Sequence, residues 1–253
     1  MDDLIRDAAT YLRHSQQLTV LTGAGISKES GIPTFRDALD GLWAQFDPTQ
    51  LATRQAFSDN PKLVWDFYEY RRELMRPAQP NPGHYALAEL QRRLPHLRII
   101  TQNVDDLHER AGNTDIIRLH GRISANKCFF NCQGEPTPVD VSKLGWDHEK
   151  GLPACPHCGR WVRPDVVWFG EMLPTAALQA AKERLDHTDV MLVIGTSGLV
   201  SPAADMPYHA KTVNGAVIIE INPDDSAITR LADIKLSGPS GEVLPRLLAS
   251  LDE

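Results

Sequence analysis

Five groups of residues in this 253-residue chain have side chains and spacings that could do chemistry. His120, in Arg118-Leu119-His120-Gly121, titrates near neutral pH and suits a general base, although a structural contact is its commoner use. Asn103 and Asp105 stand in Thr101-Gln102-Asn103-Val104-Asp105, where turn chemistry and helix capping compete with ligand binding. Gly23-x-Gly25 is a turn that would let the backbone approach a pyrophosphate, with the next helix's N-terminus favouring its charge. The next glycine is Gly31, so the dinucleotide pattern G-x-G-x-x-G is not met. Tyr68 and Arg71, three apart on a helix-like segment, would share a face. A guanidinium can bind a carboxylate bidentately and a phenol can cap it, giving a receptor for a dicarboxylic acyl chain such as succinyl or malonyl. A packed aromatic face with solvated charges is the competing reading. Finally, all 4 cysteines lie between Cys128 and Cys158. Cys155-x-x-Cys158 and Cys128-x-x-x-Cys132 have spacings that a tetrahedral, closed and therefore structural zinc accepts. A set completed by His157 or His148 is the alternative, as is a redox-active cysteine pair, which the loop-like flanks disfavour.

Four short apolar runs must position these groups: Leu18 to Leu21, Leu97 to Ile100, Val190 to Ile194 and Ala216 to Ile221. Near-continuous apolarity marks strands buried on both faces of a parallel sheet. Helical spacing separates them at Asp2 to Leu12, His84 to Leu94, Ala176 to Leu185 and Val243 to Leu251, so the class is α/β. Polar or glycine-rich segments follow every run: Thr22 to Ser27, Thr101 to Asp105, Gly195-Thr196-Ser197 and Asn222-Pro223-Asp224. In open parallel sheets ligands bind beyond the strands' carboxyl ends, so these four segments should line one crevice. Two interruptions, about Asp37 to Pro82 with its aromatics and about Arg122 to Arg163 with the cysteines, are too poor in strand signal to extend the sheet. They read as insertions forming a smaller lobe, with a crevice between lobes.

Composition bounds the possibilities. The formal charge is −7, from 26 Lys+Arg against 33 Asp+Glu, which argues against a protein held to nucleic acid mainly by phosphate neutralisation. With 42% apolar residues the chain can build a real core. Its longest apolar runs fall far short of the roughly 20 residues of a membrane span. The acidic start, Met1-Asp2-Asp3, lacks the pattern of a secretory signal, and a cytoplasmic location is expected.

The string Gly23-Ala24-Gly25-Ile26-Ser27-x-x-Ser30-Gly31-Ile32-Pro33-x-Phe35-Arg36 closely resembles the cofactor-binding signature of the sirtuins, the NAD-dependent protein lysine deacylases. Thr101 to Asp105 resembles their T-Q-N-[IV]-D, His120-Gly121 their catalytic H-G, Val167-Trp168-Phe169-Gly170-Glu171 their substrate segment, and Gly195-Thr196-Ser197 their G-T-S, all in family order. The resemblance implies a Rossmann-like sheet from residues 1–36, 83–121 and 164–253, with a helical insertion at 37–82 and a zinc-binding insertion at 122–163. It implies that NAD is consumed rather than used as a hydride carrier. The acyl oxygen attacks the nicotinamide ribose, nicotinamide leaves, and His120 helps deprotonate a ribose hydroxyl, giving free lysine and O-acyl-ADP-ribose. Asn103 and Asp105 would hold ribose hydroxyls, water or the carboxamide; Gln102 and Arg36 would contact the ribose and phosphate side; Phe35 would shield the reacting carbon. Gly195, Thr196, Ser197, Asn222 and Pro223 would carry the adenosine end, with Ser240 a further candidate. Because no acidic residue ends the second strand, the ribose logic of simple dehydrogenases is not expected to transfer.

The Tyr68-x-x-Arg71 pair matches the desuccinylase-like class of the family, so acidic acyl groups as well as acetyl are expected to be removed from acylated lysines. Val167, Trp168, Phe169 and Gly170, with Gly198-Leu199-Val200, would pair with an extended substrate peptide. The family's first knuckle is normally C-x-x-C, and here Asn131 stands where its second cysteine would be. Two other functions compete: an NAD hydrolase or ADP-ribosyltransferase on the same fold, and a non-catalytic nucleotide-binding zinc-ribbon protein.

Overall fold

The apolar runs form strands because their residues are β-branched or aliphatic with no polar face to give to water. A computed structural model describes residues 1–34, 46–147, 149 and 151–252. Its main sheet holds β1 Leu18–Thr22, β2 Arg98–Thr101, β3 Ile116–Arg118, β6 Val190–Ile194, β7 Val217–Asn222 and β8 Ile234–Ser237. All neighbours pair in parallel, in the order β3-β2-β1-β6-β7-β8. The crossover from β3 to β6 therefore spans the sheet, and β1 lies beside β6 at its centre, the switch point where a crevice opens. Strands β3 and β8 escape the sequence reading, being only 3 and 4 residues long.

Side chains alternate across this sheet with period two. On one face Leu18, Val20, Leu192 and Ile219 pack against α1 Asp2–His14, α6 Pro82–Arg93 and α10 Ser240–Ala249. On the other, Leu21, Met191, Val193 and Ile218 meet α8 Thr175–Leu185 and α9 Met206–Asn214. Both faces are covered, as the strands' apolarity requires.

The described part of the first interruption is helical: α3 Pro48–Leu51, α4 Arg54–Asp59 and α5 Pro61–Met75. Asn60 starts α5 by accepting from Leu63 N at 3.1 Å, and Pro61 at the first helical position needs no N–H partner. The second interruption forms a separate antiparallel pair, β4 Gly121–Cys128 with β5 Val162–Val166. Phe57, Phe67, Tyr68, Phe129 and Trp168 join the two insertions into one aromatic core. No helix among the described residues is long and apolar enough to cross a membrane.

Candidate active site

The crevice forms at the carboxyl edge of β1, β2, β6 and β7. Gly25 N donates to Gly195 O at 2.8 Å and Gly23 N to Ile194 O at 2.9 Å, so the turns after β1 and β6 touch main chain to main chain. A Cβ on Gly25 would stand 2.6 Å from Gly195 Cα, and one on Gly23 2.8 Å from Gly195 O. The glycines thus serve this close approach, and the helix that follows, α2 Gly25–Lys28, is only one turn. Ala24 caps it, while Ile26 is fully buried in the core and offers the crevice main chain only. Asn222 Nδ2 donates to Thr196 O at 3.0 Å, Gln102 Nε2 to Thr196 Oγ1 at 3.0 Å, and Ala227 N to Ser197 O at 3.1 Å. Gly25, Gly195, Pro223 and Ser240 border a cleft that opens to solvent. Phe35 and Arg36 lie outside the described residues.

His120, at the end of β3, has its Nδ1 2.9 Å from Gln102 O. A carbonyl only accepts, so Nδ1 carries the proton and Nε2 is left as the basic nitrogen. Burial pushes this histidine below its usual range, against the raising effect of the Gln102 carbonyl. Nearby, Ser27 Oγ donates to Asp105 Oδ2 at 3.0 Å and accepts from Asn103 Nδ2 at 3.2 Å. The Asp105 carboxyl is pushed up by burial and held partly down by the Leu107 N–H and the Ser27 hydroxyl. Asn103 and Asp105 are thereby both locked on Ser27. Val104 is tied to the cysteine-bearing insertion, its carbonyl accepting from Ile123 N at 2.9 Å.

Several members of this group are invisible in the motifs. Arg118 grips Asn103 O at 3.0 Å and pairs with Glu109, fixing the segment between β2 and α7 Leu107–Arg110. His108 lies 3.0 Å from Thr22, whose hydroxyl donates to Thr101 at 2.8 Å. The only sequence signal for Arg118 is its place two residues before His120.

The second lobe supplies an aromatic wall. Trp168 Nε1 donates to Tyr68 Oη at 2.9 Å, leaving the phenol proton to be donated elsewhere. Burial raises the Tyr68 phenol's pKa, and Arg71 opposes that rise. The Arg71 guanidinium carbon lies 5.9 Å from the Tyr68 ring centroid, and Arg71 borders a shallow pocket with Phe67, Leu74 and Met75. Glu171 does not face outward: it accepts from Trp168 N at 2.9 Å and grips Arg163 at 2.6 and 3.0 Å. Arg163 in turn lies 3.2 Å from the Trp168 ring centroid. Val167 N donates to His120 O at 3.0 Å and Phe169 N to Ala52 O at 2.9 Å, joining this strip to both lobes. Phe169 and Gly170 are exposed, as are Leu199 and Val200 across the crevice.

The four cysteine sulfurs lie within 4.8 Å of one another, with Cys128 to Cys158 at 3.6 Å and Cys132 to Cys155 at 3.8 Å. Tetrahedral zinc with bonds of about 2.3 Å separates its sulfurs by about 3.8 Å, so the set fits. Among the described residues no histidine joins it; His157 is exposed and His148 lies outside them. The extra residue of the first knuckle is absorbed at Asn131, whose φ is +49°. Asparagine tolerates that left-handed turn better than other side chains.

A family model described as the Sir2 family matches residues 23–202. A Pyrococcus furiosus protein named NAD-dependent protein deacylase is 47% identical over 248 residues, covering 98% of each chain. A solved Sir2 homolog–NAD complex is similar at TM-score 0.87 and 44% identity, over 97% of this chain and 93% of that one. A Sir2 protein bound to a myristoylated histone peptide is similar at TM-score 0.76 and 37% identity, over 100% of this chain and 98% of the other. With its glycine turn, His120 and cysteine cluster all inside or beside the matched span, the chain belongs to the Sir2 family.

Proposed function

We propose that this chain removes acyl groups from protein lysines with NAD as co-substrate and one water consumed, yielding lysine, nicotinamide and O-acyl-ADP-ribose. Relatives named NAD-dependent protein deacylase at near-full coverage support the reaction, and a related structure holds NAD. The observation that carries the mechanism is the 2.9 Å contact of His120 Nδ1 with Gln102 O. It leaves Nε2 unprotonated and available as a base.

NAD supplies the ribose carbon to which the acyl group passes as nicotinamide leaves. The residues present suit it: glycine main chain and Ser240 border a cleft, and Asn103 and Asp105, held together by Ser27, would supply an amide and a carboxylate to hydroxyls or carboxamide. His120 Nε2 would take the proton of a ribose hydroxyl. The acylated lysine would lie between the exposed strips at Phe169 and Leu199, its acyl end toward Tyr68 and Arg71. That pair extends the reading to acidic acyl groups: the phenol donates one hydrogen bond and the guanidinium a charged pair. The four cysteines would hold a structural zinc that braces the second lobe. A reducing cytoplasm would suit those thiolates.

Incubation with NAD and acetyl- or succinyl-lysine peptides, with products read by mass, tests the reading. Peptide-dependent nicotinamide release with O-acyl-ADP-ribose is expected; peptide-independent release would replace it with NAD hydrolysis.

A further inference from the structure

We propose that Arg72 is a positioning residue: it ties the helix bearing Tyr68 and Arg71 to the segment bearing Asn103 and Asp105, and so sets the distance between acyl group and ribose. The proposal rests on the deacylase reading above, which puts the two reactants against those two segments. It starts from an irregularity in the second lobe. The pairing of β4 with β5 passes directly from Arg122 opposite Asp165 to Asn126 opposite Pro164, so Ile123, Ser124 and Ala125 bulge out of the ladder. A bulge frees main-chain groups that the partner strand no longer satisfies, and such groups need partners elsewhere.

Arg72, the residue after Arg71 on α5, supplies them. Its Nε donates to Ile123 O at 2.7 Å, and its Nη2 to Asn126 Oδ1 at 2.7 Å and to Ala125 O at 3.3 Å. Nη1 pairs with Glu69 one turn back along the helix, and the side chain is only 16% exposed. All three guanidinium nitrogens are thus engaged, in a planar fork that a lysine could not reproduce. Ile123 is buried and is held at its other end too, its N–H donating to Val104 O at 2.9 Å. Val104 is the residue between Asn103 and Asp105. Two hydrogen bonds through one residue therefore join α5 to the segment after β2.

The consequence is geometric. Acyl oxygen and ribose carbon must approach to about 3–3.5 Å, and a misplacement of about 1 Å can cost about a hundredfold in rate. Arg72 acts through Ile123 on where the two reactants stand, so its loss should lower kcat more than it weakens binding.

Arg72→Gln tests this with an acetyl-lysine peptide, whose acyl group offers Arg71 no carboxylate. Its kcat should fall at least about tenfold, while the Kd of ADP-ribose measured by calorimetry stays within about threefold. The stoichiometry of that binding counts folded sites, so partial unfolding cannot pass for a slower reaction. Glu69→Gln, which leaves the contacts to the bulge in place, should keep kcat within about twofold. Asn126→Ala removes one acceptor and should cost about threefold, and adding it to Arg72→Gln should cost nothing further, since both break one link. An unchanged kcat in Arg72→Gln, or a loss matched by lost binding sites, would overturn the proposal; if that variant does not fold, an unchanged kcat in Asn126→Ala would do so. If the unmutated protein releases no nicotinamide with any acyl-lysine peptide, the deacylase reading falls instead. The tie itself is then read by hydrogen exchange at the Ile123 amide, which Arg72→Gln or Asn126→Ala should speed severalfold and whose unchanged protection would show that no such tie exists.

Discussion

At the residue scale the reaction depends on one nitrogen being unprotonated. Burial lowers the His120 pKa below 6.5, so the neutral base is present across physiological pH and is lost only as pH falls through the lowered value. The acid limb of kcat/KM should therefore have its midpoint below pH 6.5, and His120→Tyr should cost at least about a hundredfold. A midpoint above 7 would remove His120 as the base. Acyl choice depends on a second group. With Arg71→Met, kcat/KM for a succinyl-lysine peptide should fall at least about tenfold relative to acetyl-lysine, since a partly desolvated charged hydrogen bond is worth about 1.5–3 kcal/mol. An unchanged ratio would mean that Arg71 only packs against Phe67 and Tyr68. Both residues are legible in the sequence because each stands in a short contiguous pattern. Arg72 is not, because its partners Ile123, Ala125 and Asn126 are more than fifty residues away and only the packing of α5 against β4 joins them. Ser27 is intermediate: it lies inside the glycine string, yet its grip on Asn103 and Asp105 needs β1 and β2 side by side.

At the scale of elements, the sheet is legible wherever a strand is long and buried on both faces, as with β6 and β7. It fails at β3 and β8, which are short and carry Arg118, Lys235 and Ser237 among few apolar residues. The cysteine lobe was expected to add nothing to the sheet, and its strands do pair only with each other. What holds that lobe is a small core of Trp65, Cys128, Val139, Cys155 and Val162 around the thiolates. So small a core needs a metal, and a chelator strong enough to strip zinc should lower the melting temperature while releasing one equivalent per chain. Metal analysis that finds none would remove the site. The loose knuckle gives a finer check. Asn131 has a left-handed backbone and a buried Oδ1 without a hydrogen-bond partner among the described atoms. Asn131→Gly should be neutral or stabilising, whereas Asn131→Ala should cost about 1 kcal/mol in urea unfolding. The reverse order would mean that the asparagine side chain itself holds the knuckle.

At the scale of the whole molecule, two histidines beneath the crevice couple folding to pH. His84 in α6 and His108 in α7 are buried to within 1% of full enclosure, their rings 5.1 Å apart edge to face. Burial pushes His84 down to about 4. It pushes His108 down to about 3, with His84 adding to the shift. Both are neutral in the folded chain, while in the unfolded chain they take up protons near pH 6.5. Stability is therefore full above pH 6.5 and is lost as pH falls through 6.5 toward 4, at up to about 1.4 kcal/mol per pH unit for each histidine. Asp105 works in the opposite direction, because a carboxyl with a raised pKa takes up its proton more readily when folded. Glu89, lowered to about 2, matters only below its unfolded value near 4.5. Between pH 6.5 and 5 the histidines should dominate, costing the pair about 3 kcal/mol in all. Urea unfolding at pH 7 and pH 5 measures the loss. His84→Gln should lower the pH dependence whatever it does to stability at pH 7, because it removes one proton taken up on unfolding and leaves His108, His120 and the carboxylates in place. A slope that does not change on removing either histidine would show that acid unfolding starts elsewhere, with the carboxylates of the surface ion pairs such as Glu89 rather than at the contact between α6 and α7.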